Sequence, residues 1–124
     1  MILLPSLLTA TAFLATYRFT INFTNLPYSN ELRQPYTKQF TQISQNISNS
    51  IHTLLVQSLH GQYNISVINY RYQQVIGTLV TLEVTSKKPE PRLRKVIKKA
   101  IQSGNIGGYT VATDGFEFYT IEGQ

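Results

Sequence analysis

The apolar and polar positions along this chain fall into alternating stretches and helical ones. In YRFTINFT, residues 17–24, Phe19, Ile21 and Phe23 share one parity and Thr20, Asn22 and Thr24 the other. That period of two predicts a half-buried strand, with Asn22 on its exposed face. Pro27 and Pro35 punctuate residues 25–36, which read as turns with a short helical turn. Phe40, Ile43, Ile47, Ile51, Leu54, Leu55 and Leu59 then recur at three- and four-residue spacings. They predict an amphipathic helix from near Thr37 to His60, with Gly61 as its C′ stop. YNISVINYRYQ, residues 63–73, is β-branched and aromatic, hence a second strand. Its alternation changes phase between Val67 and Ile68, which a bulge or burial on both faces would produce. A polar turn near Gln73-Gln74 leads to a third strand. There Val80, Leu82 and Val84 oppose Thr81, Glu83 and Thr85.

Leu93, Val96, Ile97, Ala100 and Ile101 form the apolar stripe of a second helix of about twelve residues. Pro91 fits its first turn, Glu90 suits its N-terminal dipole and Gly104 its C-terminal stop. YTVATDGFEFYTI closes the chain with strand character on both sides of an Asp114-Gly115 turn. The order is therefore strand, helix, strand, strand, helix, strand. Two single-sided helices cover one face of an antiparallel four-stranded sheet, an α+β two-layer sandwich of ferredoxin-like type. At 124 residues the chain makes one domain, residues 17–124. Residues 1–16 are uncharged, mostly apolar and too short to span a bilayer. They read as a signal-like or flanking segment.

Composition adds a location. Charged residues are 14% of the chain, and hydroxyl and amide side chains fill the surface instead. Three sequons, at Asn22, Asn46 and Asn64, fit a glycosylated extracellular protein. The absence of Cys excludes disulfides, thiol catalysis and cysteine-bearing metal sites. The net charge of +5 is concentrated. KKPEPRLRKVIKK, residues 87–99, holds seven of the eleven basic residues and one of the six acidic ones, a local +6 that leaves −1 elsewhere. Lys87, Lys88, Arg92, Arg94, Lys95, Lys98 and Lys99 are candidates for binding sulfated glycan or anionic headgroups, beside the plainer reading of a solvated helix face. No aromatic RNA-binding motif accompanies them, and nucleic acid is not expected.

Catalytic chemistry finds little support. No Ser-His-Asp order, paired carboxylates or phosphate loop emerges, so a turnover enzyme is not expected. His52 and His60 have no evident metal partner, and neither metal nor cofactor is expected. One pair carries a possible reaction: Gly77-Thr78, at the start of the third strand.

At this point the sequence resembles a SEA domain, the module of membrane-tethered mucins, heparan-sulfate proteoglycans and some transmembrane proteases and adhesion receptors. Four stretches carry the likeness: FTINFTNLPYSNEL at 19–32, INYRYQQVIGTLVTLEV at 68–84, IQSGNIGGYTV at 101–111 and FEFYTI at 116–121. In some SEA domains a Gly-Ser bond cleaves itself. The hydroxyl attacks the preceding carbonyl, an N→O acyl shift gives an ester, and water hydrolyses it. Strain in the turn lowers the barrier. Here Gly77 matches the glycine and Thr78 stands in place of the serine, while Leu79, Val80 and Thr81 occupy three valine positions. The threonine β-branch crowds the attack. Residues 72–76 also make the connection longer than the cleaving pattern, which implies a more relaxed turn. The resemblance thus implies an extracellular, membrane-associated, mucin-like structural module of the cell surface. It would act as a membrane-proximal spacer or mechanical link between flanking domains, with Gly77-Thr78 intact. The alternatives are a single self-cut at Gly77-Thr78 with the halves staying paired, and a sulfated-glycan-binding module.

Overall fold

The computed structural model describes residues 15–121. β1 (Ala15–Phe23) leads through a 3-10 turn at Asn30–Arg33 to α1 (Lys38–Ser58), β2 (Tyr63–Gln73) and β3 (Gly77–Ser86). α2 (Leu93–Gln102), β4 (Asn105–Ile106) and β5 (Tyr109–Ile121) follow. Ala15 and Thr16 already belong to β1. The rest of the apolar N-terminal segment lies outside the described residues.

α1 starts at Thr37, whose hydroxyl accepts the Phe40 backbone N–H at 3.2 Å, an N-cap that satisfies one orphan donor. The helix ends at Ser58. Leu59 turns to an extended conformation and buries its side chain, so Gly61 is not the C′ residue. α2 has ten residues rather than about twelve, because Pro91 lies in the turn before it. Gly104 follows its C-cap, Ser103, as the pattern predicts.

The sheet order is β2-β3-β1-β5-β4, with every pairing antiparallel. That is five strands, not four. The added strand, β4, is two residues long and closes onto β5 through Gly107-Gly108. Two residues cannot show a period of two, which is why the pattern misses it.

Both helices lie against one face. Tyr17, Phe19, Ile21 and Phe23 of β1 point into a core shared with Val80, Leu82 and Val84 of β3 and with Ile47, Ile51, Leu55, Ile97 and Ile101 of the helices. Phe19 stacks on Phe118 with ring centroids 5.7 Å apart. Removing this apolar area from water is the main force holding the layers together. On the opposite face, cross-strand pairs are polar. The Thr20 and Thr81 hydroxyls are 3.0 Å apart, and Arg18 donates to Glu83 at 2.7 Å.

The phase change in β2 is a bulge. Its register with β3 shifts between Val67 and Asn69, so Ile65, Val67 and then Tyr70 all face the helices. Tyr70 packs edge-on to Phe40 at 5.2 Å, and its hydroxyl is 2.8 Å from that of Ser44. A second irregularity replaces the expected Asp114-Gly115 hairpin. β5 runs on continuously, and its register with β1 jumps from Thr20↔Glu117 to Asn22↔Ala112. Residues 113–116 stand opposite Ile21 alone, so three are extra and the strand bulges there. Gly115 has φ +84, and a Cβ there would come within 2.8 Å of the Leu79 side chain. The bulge therefore covers Leu79, which is buried on a face expected to be open.

Candidate functional site

β1 and the turn between β2 and β3 build the surroundings of Gly77-Thr78. Tyr72 still pairs with Thr78 and Gln73 with Gly77, so two of the five residues between Arg71 and Gly77 belong to the strand. The turn itself is only residues 74–76. It is tight, not relaxed. Val75 sits at its tip, fully exposed, with φ +74. A β-branched residue in that region is strained by about 1–3 kcal/mol. Gly77 follows with φ +134.

Asn22 holds this turn from the neighbouring strand. Its Nδ2 donates to the Ile76 carbonyl at 2.9 Å. Its Oδ1 is buried and, among the described residues, has no hydrogen-bond partner. A Cβ on Gly77 would lie 2.5 Å from that oxygen. Asn22 is thus 1% exposed, which corrects its expected place on an open face. In the folded protein the β2–β3 turn closes over its side chain. Asn46 and Asn64 are both exposed.

Thr78 is also buried, and its hydroxyl donates to the Leu26 carbonyl at 2.7 Å. The hydroxyl that would attack the Gly77 carbonyl is engaged with a different carbonyl. Neither Asn22 as a clamp nor Leu26 as an acceptor could be read from the sequence. Both partners are remote in the chain, and Asn22 carried only its sequon as a signal.

The seven basic candidates are all exposed. Arg94, Lys95 and Lys98 lie on the solvent side of α2, away from buried Leu93, Ile97 and Ile101. Lys99 lines a depression of about 420 Å³ between the helices, with Leu54 and Val96. Lys87 and Lys88 line a second depression of about 320 Å³ with His60, Tyr63 and Glu90. Arg92 is committed to Glu90, its Nε donating at 3.0 Å.

Glu90 is the hub of that region. Its backbone N–H donates to the Tyr17 hydroxyl at 2.7 Å, and its carboxylate also accepts the Arg92 backbone N–H at 3.2 Å. The Arg92 hydrogen bond holds the Glu90 carboxyl below its ordinary range, against the opposing effect of burial. Burial first, then the Glu90 charge, pushes the Tyr63 hydroxyl up. These groups tie the start of α2 to the ends of β1 and β2.

Among the described residues no group of three or more His, Cys, Asp or Glu could hold a metal ion, and no helix is long and apolar enough to cross a membrane. A comparison with curated proteins finds no match to this chain. The family profile described as SEA domain matches residues 15–105. That span holds β1, both helices, the hairpin around Gly77-Thr78 and the start of β4. With most of its length matched, the chain belongs to the SEA domain family.

Proposed function

We propose that this SEA domain is a structural module of a larger extracellular, glycosylated, membrane-associated protein, and that it catalyses no turnover reaction. Family membership supports an extracellular-type module. The strand order β2-β3-β1-β5, with both helices on one face, supports the ferredoxin-like reading of its fold. The observation that carries the structural role is the pairing of Thr16 with Ile121. Adjacent strands lie about 5 Å apart, so the chain enters and leaves the module side by side at one end of the sheet. A module built this way adds bulk beside its neighbours rather than length between them. Tension on its two ends would also open the β1–β5 ladder one hydrogen bond at a time. Single-molecule pulling tests this. Loading through both termini should unfold the domain at lower force than loading through the N-terminus and a cysteine at exposed Thr110, which shears the same ladder. Equal forces would remove the argument.

Self-cutting is a second reading, favoured by the strained Val75 beside Gly77-Thr78. The Thr78 hydroxyl, held on the Leu26 carbonyl, favours an intact bond. Intact mass after denaturation decides between them: one full-length species is expected, and a fragment beginning at Thr78 would overturn that expectation.

Glycan binding by α2 also has an observation in its favour. Arg94 and Lys98, and Lys95 and Lys99, are like-charge pairs four residues apart. Each such pair costs an isolated helix about 0.2–0.5 kcal/mol, a cost that an anionic partner would relieve. Retention on immobilised heparin, lost when Lys95, Lys98 and Lys99 become Glu, tests this reading. Retention unchanged by those substitutions would refute it.

A further inference from the structure

α1 carries a stripe that neither the core nor the basic surface uses. Asn46, Asn49, Ser50, Thr53 and Gln57 recur at helical spacing on one side of the helix, and all but half-buried Ser50 are exposed. The β4–β5 hairpin lies across from them. Its Gly107 approaches Ser50 so closely that a Cβ there would clash with the Ser50 side chain. Between helix and hairpin run two adjoining depressions of about 360 and 400 Å³, both lined by Asn49, Ser50 and Gly107. The first reaches from Asn46 to Gly108 and Tyr109. The second continues along Thr53 and Gln57 over the apolar Leu54 and Ile106. Neither depression is lined by a charged side chain, in a chain of net charge +5.

Uncharged amides and hydroxyls above an apolar floor are complementary to a neutral sugar. The amides and hydroxyls match sugar hydroxyls, and the floor takes the C–H faces. The head of the groove is itself a sequon asparagine, and it is exposed, whereas Asn22 is not. Two glycines at the hairpin tip leave that end without side chains. We propose that the groove between α1 and the β4–β5 hairpin is a carbohydrate site whose occupant is the N-glycan on Asn46, its first N-acetylglucosamine residues lying over Gly107-Gly108 and against Tyr109. The glycan then braces the hairpin against the helix. This inference rests on the extracellular reading above.

The test uses the full chain secreted from mammalian cells behind an added signal. Export is thereby supplied, and failure counts against the groove rather than against the extracellular reading. The comparison is Ser48→Ala, which keeps Asn46 but removes its sequon. Glycopeptide mapping should find Asn46 and Asn64 occupied and Asn22 bare. Amide and ring resonances of Gly107, Gly108 and Tyr109 should differ between the glycosylated chain and Ser48→Ala, with sugar-to-Tyr109 contacts seen only in the former. Hydrogen exchange at the hairpin should be slower when the glycan is present. An unoccupied Asn46, or an occupied one that leaves the hairpin resonances unchanged, would overturn the proposal. Free chitobiose shifting those resonances in Ser48→Ala, while the attached glycan does not, would overturn the tethered source and assign the groove to a separate sugar.

Discussion

Replacing Gly77 by Ala probes the tightest point of the molecule. Gly77 has φ +134, where a side chain is strained, and the new Cβ would lie 2.5 Å from the Asn22 Oδ1. The backbone contribution is about 1–3 kcal/mol. The Asn22 amide must also swing away, and its 2.9 Å hydrogen bond to the Ile76 carbonyl goes with it, about 1 kcal/mol more. Gly77→Ala should therefore destabilise the domain by about 2–4 kcal/mol, a large part of the 5–15 typical of such a domain. Asn22→Ala alone should cost about 1 kcal/mol or less, because it also deletes the buried, unpartnered Oδ1. Combined with Asn22→Ala, Gly77→Ala should cost less than it does alone, leaving a coupling of about 1 kcal/mol. Urea denaturation of the four proteins measures this as shifts in midpoint at constant m. A cost below about 1 kcal/mol for Gly77→Ala, or strict additivity in the cycle, would refute the clash and the clamp together.

Other substitutions test the remaining parts. Phe19→Ala removes a fully buried ring stacked on Phe118 and should cost about 3–5 kcal/mol by the same assay. Thr78→Ala leaves the Leu26 carbonyl without its donor and should cost about 1–3 kcal/mol; no change would mean that this hydrogen bond is not formed in solution. Glu90 is held below its ordinary value in the folded state, chiefly by Arg92, so its contribution is present above about pH 4.5 and is lost as the pH falls through the lowered folded value. Denaturation midpoints of wild type and Glu90→Gln should accordingly converge in acid. Burial pushes the Tyr70 hydroxyl up to about 12, so its contribution is complete below pH 10 and is lost as the pH rises from 10 toward 12. Tyr70→Phe should flatten that alkaline decline, and an unchanged decline would show that Tyr70 ionises freely.

The elements that periodicity predicts best are those whose neighbours are local or uniformly apolar. β1, α1 and β3 follow the apolar stripes of Phe19-Ile21-Phe23, Phe40 to Leu59, and Val80-Leu82-Val84. The phase change in β2 was also legible, and of its two explanations, a bulge or burial on both faces, the register shift between Val67 and Asn69 selects the bulge. The polar side of the sheet was not. Alternation marks Asn22 and Leu79 as lying away from the core, but it is silent on whether anything covers that side. The β5 bulge covers Leu79, and the β2–β3 turn closes on Asn22. Asp114-Gly115 carries the composition of a hairpin turn, yet it serves the bulge because Gly107-Gly108 already turns the chain into β5.

The candidate site divides the same way. Gly77-Thr78, the sequons and the cluster of basic residues are visible as letters in a row, and the family likeness rests on the order of the four stretches at 19–32, 68–84, 101–111 and 116–121. Their states are not visible. Thr78 hydrogen-bonded to Leu26 and Asn22 buried under the β2–β3 turn are each set by a partner distant in sequence, whereas Arg92 is held by Glu90 two residues away. Local pattern reports how a segment shares its surface between water and a core. Only the assembled sheet determines which polar group meets which, because burial and hydrogen bonding depend on what the rest of the chain brings alongside.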